Sequence, residues 1–180
     1  MKSAQLFDIA GVSDENDEWY TPAWVFESLM VNFDLDPCSP GAPPSRVPAK
    51  RHLTKADNGL SATWQGCVWL NPPFSSKERW LKRMLEHDNG IALIPARTDS
   101  KWLQSCMESS QALLFLPGRL NFERASSATH GPTSHGRPPF GLLLAAYGDR
   151  MADALLDSKL VGVRAKVWKP TSSSVSESNE

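Results

Sequence analysis

Cys67-Val68-Trp69-Leu70-Asn71-Pro72-Pro73-Phe74 decides the fold of this chain, because four apolar residues, enough for a buried strand, run straight into a pair of prolines. Pro72 and Pro73 have no amide hydrogen and a fixed φ, so the chain must leave the sheet there as a stiff loop. The same grammar of an apolar run followed by proline and polar residues recurs three times. It is found at Phe33-Asp34-Leu35-Asp36-Pro37, at Ile91-Ala92-Leu93-Ile94-Pro95-Ala96-Arg97 and at Leu113-Leu114-Phe115-Leu116-Pro117-Gly118-Arg119. Between the last three of these four segments lie amphipathic stretches, Ser75 to Asp88 and Asp99 to Ser109, each opening on a residue suited to an N-cap. Alternating strand and helix predicts an α/β fold with a mostly parallel central sheet and right-handed crossovers. In such sheets ligands gather outside the carboxyl ends of the strands, where Asp36, Asn71, Arg97 and Arg119 are expected to converge.

Ahead of the first strand, Thr21 and Pro22 read as the N-cap and first-turn proline of a helix reaching about Asn32. Trp24, Val25, Phe26 and Leu29 form its apolar side. Further on, Phe140 to Tyr147 reads as a buried strand, Met151 to Leu156 as a short helix and Leu160 to Trp168 as a last, antiparallel strand. Residues 1–16 and 170–180 are polar and read as disordered, which leaves 17–169 as a single domain. Two segments, Ser39 to Gly59 and Asn121 to Pro139, resist regular structure and read as long functional loops.

The net charge is −1, so the chain as a whole is no polycation and any contact with an acidic polymer must be local. Arg46, Lys50, Arg51, Lys55, Arg124 and Arg137, all in the two loops, are the candidates for such contacts. No stretch is apolar enough for a membrane span, and the acidic N-terminus does not suit a signal peptide, so a cytoplasmic location is expected. Cys38, Cys67 and Cys106 are odd in number and contain no Cys-x-x-Cys pair, which suits reduced structural thiols. His130 and His135 lack metal-ligand spacing and a cysteine partner, so no metal site is expected.

The Asn71 tetrapeptide carries the chemistry. An asparagine side-chain oxygen and the Pro72 carbonyl, aimed by the stiff Pro72-Pro73 pair, are two acceptors for the two hydrogens of a planar amino group. Phe74 offers a face on which a flat ring can stack. The exocyclic amine of adenine is a poor nucleophile because its lone pair is delocalised into the ring. Accepting both hydrogens draws the nitrogen toward tetrahedral geometry and localises that pair for attack on a methyl sulfonium, with no strong base required.

With these pieces in order, the chain resembles the phage Dam-like family of DNA adenine-N6 methyltransferases. The resemblance runs from about Trp19 to Tyr147. It rests on Trp19-Tyr20-Thr21-Pro22, Leu35-Asp36-Pro37-Cys38, Asp57-Asn58-Gly59-Leu60 with Trp64, the Asn71 tetrapeptide, Pro95-Ala96-Arg97-Thr98-Asp99 with Trp102, and Gly118-Arg119-Leu120-Asn121-Phe122. It implies a single Rossmann-like domain dependent on S-adenosylmethionine and acting on DNA, with a monomer plausible; this chain departs from the pattern in the short span between the Asp36 and Asn71 strand ends, which leaves an abbreviated second and third strand region. By the same resemblance Asn71, Pro72, Pro73 and Phe74 hold and stack the target base, which must be flipped out of a duplex or presented single-stranded.

Asp36, Pro37 and Cys38 occupy the place of the family's cofactor loop, with the Asp36 carboxylate facing the cofactor's ammonium. Thr21 and Pro22 enclose the same end, and Asp57 accepts from the cofactor adenine, the alternative being that Asp57-Asn58-Gly59 is simply a turn. Arg97, Asp99 and Arg119 shape the site, with Arg97 and Arg119 as DNA contacts, an internal ion pair being the alternative. After Asp36-Pro37, where related enzymes carry Gly-x-Gly, this chain has Cys38-Ser39-Pro40-Gly41. That departure keeps open an inactive nucleic-acid-binding protein, and the same pocket also suits RNA or a protein glutamine amide.

Overall fold

The computed structural model describes residues 20–41, 45–123 and 135–168. Arg124 and His130, the two termini and Trp19 lie outside them. The elements are α1 (Ala23–Leu29), β1 (Phe33–Asp36), β2 (Ala49–His52), a 3-10 turn (Lys55–Asp57), β3 (Val68–Leu70), α2 (Lys77–His87), β4 (Gly90–Pro95), α3 (Lys101–Ser109) and β5 (Ala112–Phe115). They continue with β6 (Phe122–Glu123), β7 (His135–Gly136), β8 (Leu142–Tyr147), α4 (Asp149–Asp157) and β9 (Val163–Lys166).

Seven strands form one sheet in the order β2-β1-β3-β4-β8-β5-β9, and β6 and β7 form a separate ribbon. The expectation of a mostly parallel sheet needs correction. The pairs β1–β2, β1–β3 and β3–β4 are parallel, whereas β4–β8, β5–β8 and β5–β9 are antiparallel. The cause is β8, which enters between β4 and β5 after the ribbon has turned the chain round. β5 still points the same way as β1 to β4, so Asp36, Leu70, Pro95 and Phe115 all end on one edge of the sheet.

Alternation along the strands sorts the core into two halves. Phe33, Trp69, Ile91, Leu93, Leu114 and Leu144 face α1 and α4, while Leu35, Val68, Leu70, Ile94, Leu113 and Leu143 face α2 and α3. β4 and β8 are buried along their whole length, and each fully buried Leu or Ile contributes roughly 1.5–3 kcal/mol of apolar transfer free energy. β9, exposed for most of its length, closes one edge.

Several boundaries differ from the sequence reading. α1 is shorter than expected: Pro22 takes the N-cap place, and Met30 in the left-handed region ends the helix with its N–H on the Phe26 carbonyl. Val25, Phe26 and Leu29 point inward, but Trp24 is 47% exposed. At 3.6 residues per turn it lies about 150° around the helix from the centre of that apolar face. The Ser39 to Gly59 segment is not wholly loop, since Ala49-Lys50-Arg51-His52 forms an edge strand on β1. Its charged pattern had hidden it, although lysine on an edge strand is an ordinary guard against further pairing. The Asn121 to Pro139 segment likewise contains the β6–β7 ribbon.

Candidate active site

The chain runs from β1 outward to β2 and then returns to the other side of β1 to make β3. The strand order therefore reverses between β1 and β3, and the crevice outside their carboxyl ends is the topological switch point where α/β sheets bind ligands. Asp36 stands at the end of β1 and Asn71 directly follows β3, one on each side of it.

Asn71 is half-buried, with Nδ2 3.5 Å from Thr21 Oγ1 and Oδ1 screened from solvent. Thr21 is buried at the start of α1, so the helix entry and the β3 exit meet through this contact. A hydroxyl both donates and accepts, so Thr21 satisfies the amide whichever way its oxygen and nitrogen are turned. Pro72 is buried, and Pro73 and Phe74 are partly exposed. The Phe74 ring meets Phe140 edge to face, with centroids 5.5 Å apart. Lys77, in the first turn of α2, donates to the Phe74 carbonyl at 3.0 Å and lies 5.0 Å over the Trp102 ring. The loop is thus held from three sides, by α1, α2 and the segment entering β8.

Asp36 is only 3% exposed. Its Oδ1 accepts from the Cys38 amide at 3.3 Å and its Oδ2 lies 3.5 Å from His52 Nδ1. The register of β1 against β2 pairs these same two residues. The hydrogen bond to Asp36 raises the His52 pKa above its ordinary value. Ser39 Oγ lies 3.1 Å from the same Nδ1, so no path runs from the serine through the ring to the acid, and the trio is not a nucleophilic triad. Pro37 is buried. The Cys38 thiol is pushed up by burial and by the nearby Asp36 charge. Cys67 and Cys106 are each pushed by burial to about 11. All three are free thiols held in the protonated form.

Asp57 is exposed and caps its own turn, its Oδ2 accepting from Thr54 N and Thr54 Oγ1 at 2.8 Å each. The turn nevertheless reaches the Asp36 loop. Gly59 packs so closely that a Cβ there would sit 2.1 Å from the Pro37 carbonyl oxygen, and the Gly59 carbonyl accepts from Trp64 Nε1 at 2.8 Å.

The basic candidates separate into two groups. Lys50 pairs with Asp34 at 2.7 Å, and Arg51 lies on the same outer strand, 3.5 Å from the Thr63 carbonyl; Arg46 and Lys55 are exposed in the connections flanking that strand. Arg97, Arg119 and Arg137 stand at the carboxyl edge, after β4, after β5 and ahead of β8. Arg97 lies 3.9 Å from Asp99 in an exposed ion pair, and Arg137 Nε donates to Asn121 Oδ1.

A family model described as DNA N-6-adenine-methyltransferase (Dam) matches residues 11–145. The chain belongs to the Dam family of DNA adenine-N6 methyltransferases. No curated relative and no solved structure matches it. Membership carries adenine-N6 methylation as the general activity and DNA as the substrate class. Among the described residues no helix of this Dam-family chain is long and apolar enough to cross a membrane.

Sequence reading missed His52, Phe140 and Lys77 as members of the site. Phe140 looked like the first residue of a strand that in fact begins at Leu142, and Gly141 between them was the available signal. Lys77 follows Phe74 at the i+3 spacing of a helix entry. His52 had no local signal, because its tie to Asp36 depends on strand register.

Proposed function

We propose that this protein transfers a methyl group from S-adenosylmethionine to the N6 amino group of adenine in DNA, in the crevice between β1 and β3. Family membership supports the reaction class, and the single observation that carries the site is the placing of Asp36 and Asn71 on either side of the switch point. Five co-directional strands on one edge support a Rossmann-like frame for residues 17–169.

The residues fit the cofactor. Asp36 is a buried carboxylate whose two oxygens offer about four acceptor positions, so it can take an ammonium while keeping Cys38 N and His52. The close approach of Gly59 to Pro37 draws the Asp57 turn against the same loop, and Thr21 and Pro22 cover the Asn71 side. When bound, S-adenosylmethionine supplies an electrophilic methyl on a sulfonium. Asn71 and the Pro72 carbonyl accept the two amine hydrogens of adenine, and the lost proton passes to water. Presenting Oδ1 to the amine takes a rotation of the Asn71 amide, during which Thr21 remains its partner. Phe74, backed by Phe140, stacks on the base, which is taken out of the duplex to reach it.

Arg97, Arg119 and Arg137 face the DNA from this edge, and Arg124, outside the described residues, is a further candidate for phosphate contact. Lys50, Arg51, Arg46 and Lys55 would meet phosphates only where the duplex reaches the β2 side. A cytoplasmic location goes with DNA as substrate. The test is transfer of labelled methyl to unmethylated plasmid DNA, with RNA and protein offered in parallel, followed by nucleoside analysis. Label in N6-methyladenine is the expected result; label in cytosine, in RNA or in a glutamine amide overturns the assignment.

A further inference from the structure

A cleft of about 320 Å³ lies on the α1 side of the sheet, lined by Trp24, Ser28, Arg119, Asn121 and Lys159 among others. Its size falls at the lower end of small-ligand sites, roughly 300–1,000 Å³. Neither Asn71 nor Asp36 lines it, yet it lies close to them in the chain's path. Trp24 is three residues beyond Thr21, the partner of Asn71. Arg119 follows β5 at the same sheet edge, after a turn that Gly118 makes at φ +65°. Lys159, between α4 and β9, is held against α1 by its amide, which donates to the Ser28 carbonyl at 2.8 Å.

Three features of this cleft point to a ligand. Trp24 exposes 47% of its surface and shares the cleft with Val161, 74% exposed, and with Leu116 and Pro117, so the lining holds a contiguous apolar patch of the kind that marks a binding groove. Arg119 and Lys159 are exposed, and among the described residues their side chains have no ion-pair or hydrogen-bond partner, unlike Lys50 and Arg97. Asn121 at the rim holds Arg137, adding a third cation beside the cleft. An aromatic face sharing one cleft with two cations that have no ion-pair partner among the described residues suits one nucleotide of a polyanionic strand, the base on the ring and the phosphate with the charges.

We propose that this cleft is a second nucleotide-binding subsite: it holds a nucleotide of the DNA strand flanking the target adenine, its base on Trp24 and its phosphate between Arg119 and Lys159. The inference rests on the methyltransferase reading for its choice of DNA. Through Trp24 and Thr21 it would fix the position of the strand relative to Asn71.

The experiment compares the full chain with Trp24→Ala and with Arg119→Ala/Lys159→Ala by fluorescence anisotropy on labelled DNA, over a range of salt. Trp24→Ala is expected to weaken binding about 5- to 150-fold, and the double variant to reduce the slope of log affinity against log salt by about two. One abasic nucleotide, walked along the flank of the target adenine, should at a single position cost the native chain what Trp24→Ala costs, and cost that variant nothing. Calorimetric affinity for S-adenosylmethionine and melting temperature should be unchanged in all variants, since these side chains are exposed. DNA affinity and salt slope equal to the native chain's sink the subsite. Methyl transfer is measured on the same samples, so a native chain that leaves adenine unmethylated while its cleft variants lose DNA binding refutes the function and keeps the subsite.

Discussion

His52 Nδ1 stands 3.5 Å from Asp36 Oδ2, at the ends of two adjacent parallel strands whose register pairs the same residues. A buried acid offered to a cofactor ammonium thereby already faces an imidazole whose pKa it raises.

This pairing predicts a pH dependence with a definite sign. Hydrogen bonding to Asp36 raises the His52 pKa, so its stabilising contact is fully present below about pH 6.5 and is lost as pH rises through the raised value. The melting-temperature advantage of the native chain over His52→Gln should shrink across that interval. Cofactor affinity should move the other way. A charged His52 beside Asp36 repels the ammonium and offsets part of the carboxylate charge, so calorimetric affinity for S-adenosylmethionine should increase as His52 becomes neutral and stay flat in His52→Gln. The comparison belongs below about pH 7.5, where an α-amino group is still largely charged. Equal pH profiles for the two proteins would remove His52 from the cofactor end of the crevice.

Gly59 tests the contact between the Asp57 turn and the Asp36 loop. An alanine Cβ would stand 2.1 Å from the Pro37 carbonyl oxygen and 3.0 Å from the Trp80 ring, and backbone cannot give way cheaply. Gly59→Ala should cost about 1–3 kcal/mol in denaturant unfolding and weaken cofactor binding, since the displaced element is the loop carrying Asp36. A variant with native stability would show that the two segments are not in contact.

Thr21→Val keeps the side-chain shape and removes the hydroxyl partner of Asn71. If Thr21 orients that amide, the variant should lose kcat by several-fold to tenfold, an interaction of about 1 kcal/mol, with KM for DNA close to native. Loss confined to KM would assign Thr21 to binding rather than to the orientation of Asn71.

The parts of the fold written in local pattern were legible in the sequence. Apolar runs ending in Pro37, Pro72, Pro95 and Pro117 marked four strands and their common edge, and β1 was placed to the residue. β2 was missed because an exposed edge strand, with the charged centre Lys50-Arg51, buries too little to show an apolar period. The direction of β8 was not readable, because an apolar run has no polarity and the ribbon that reverses the chain is only two residues per strand. The Asn71 tetrapeptide announced itself through its prolines. Of its supports, Thr21 and Phe140 come from distant parts of the chain while Lys77 lies one helical turn beyond Phe74, and Asp57, read as a cofactor ligand or simply as part of a turn, caps its own turn in the structure.

The most direct measurement is single-turnover methyl transfer to unmethylated DNA by the native chain and by Asn71→Ala, at saturating cofactor and DNA, with cofactor affinity measured in parallel. If Asn71 and Pro72 localise the adenine lone pair, the variant should bind S-adenosylmethionine normally and form N6-methyladenine roughly 10²- to 10³-fold more slowly, the usual cost of removing one group that acts on developing charge. An undiminished rate in Asn71→Ala would contradict the account.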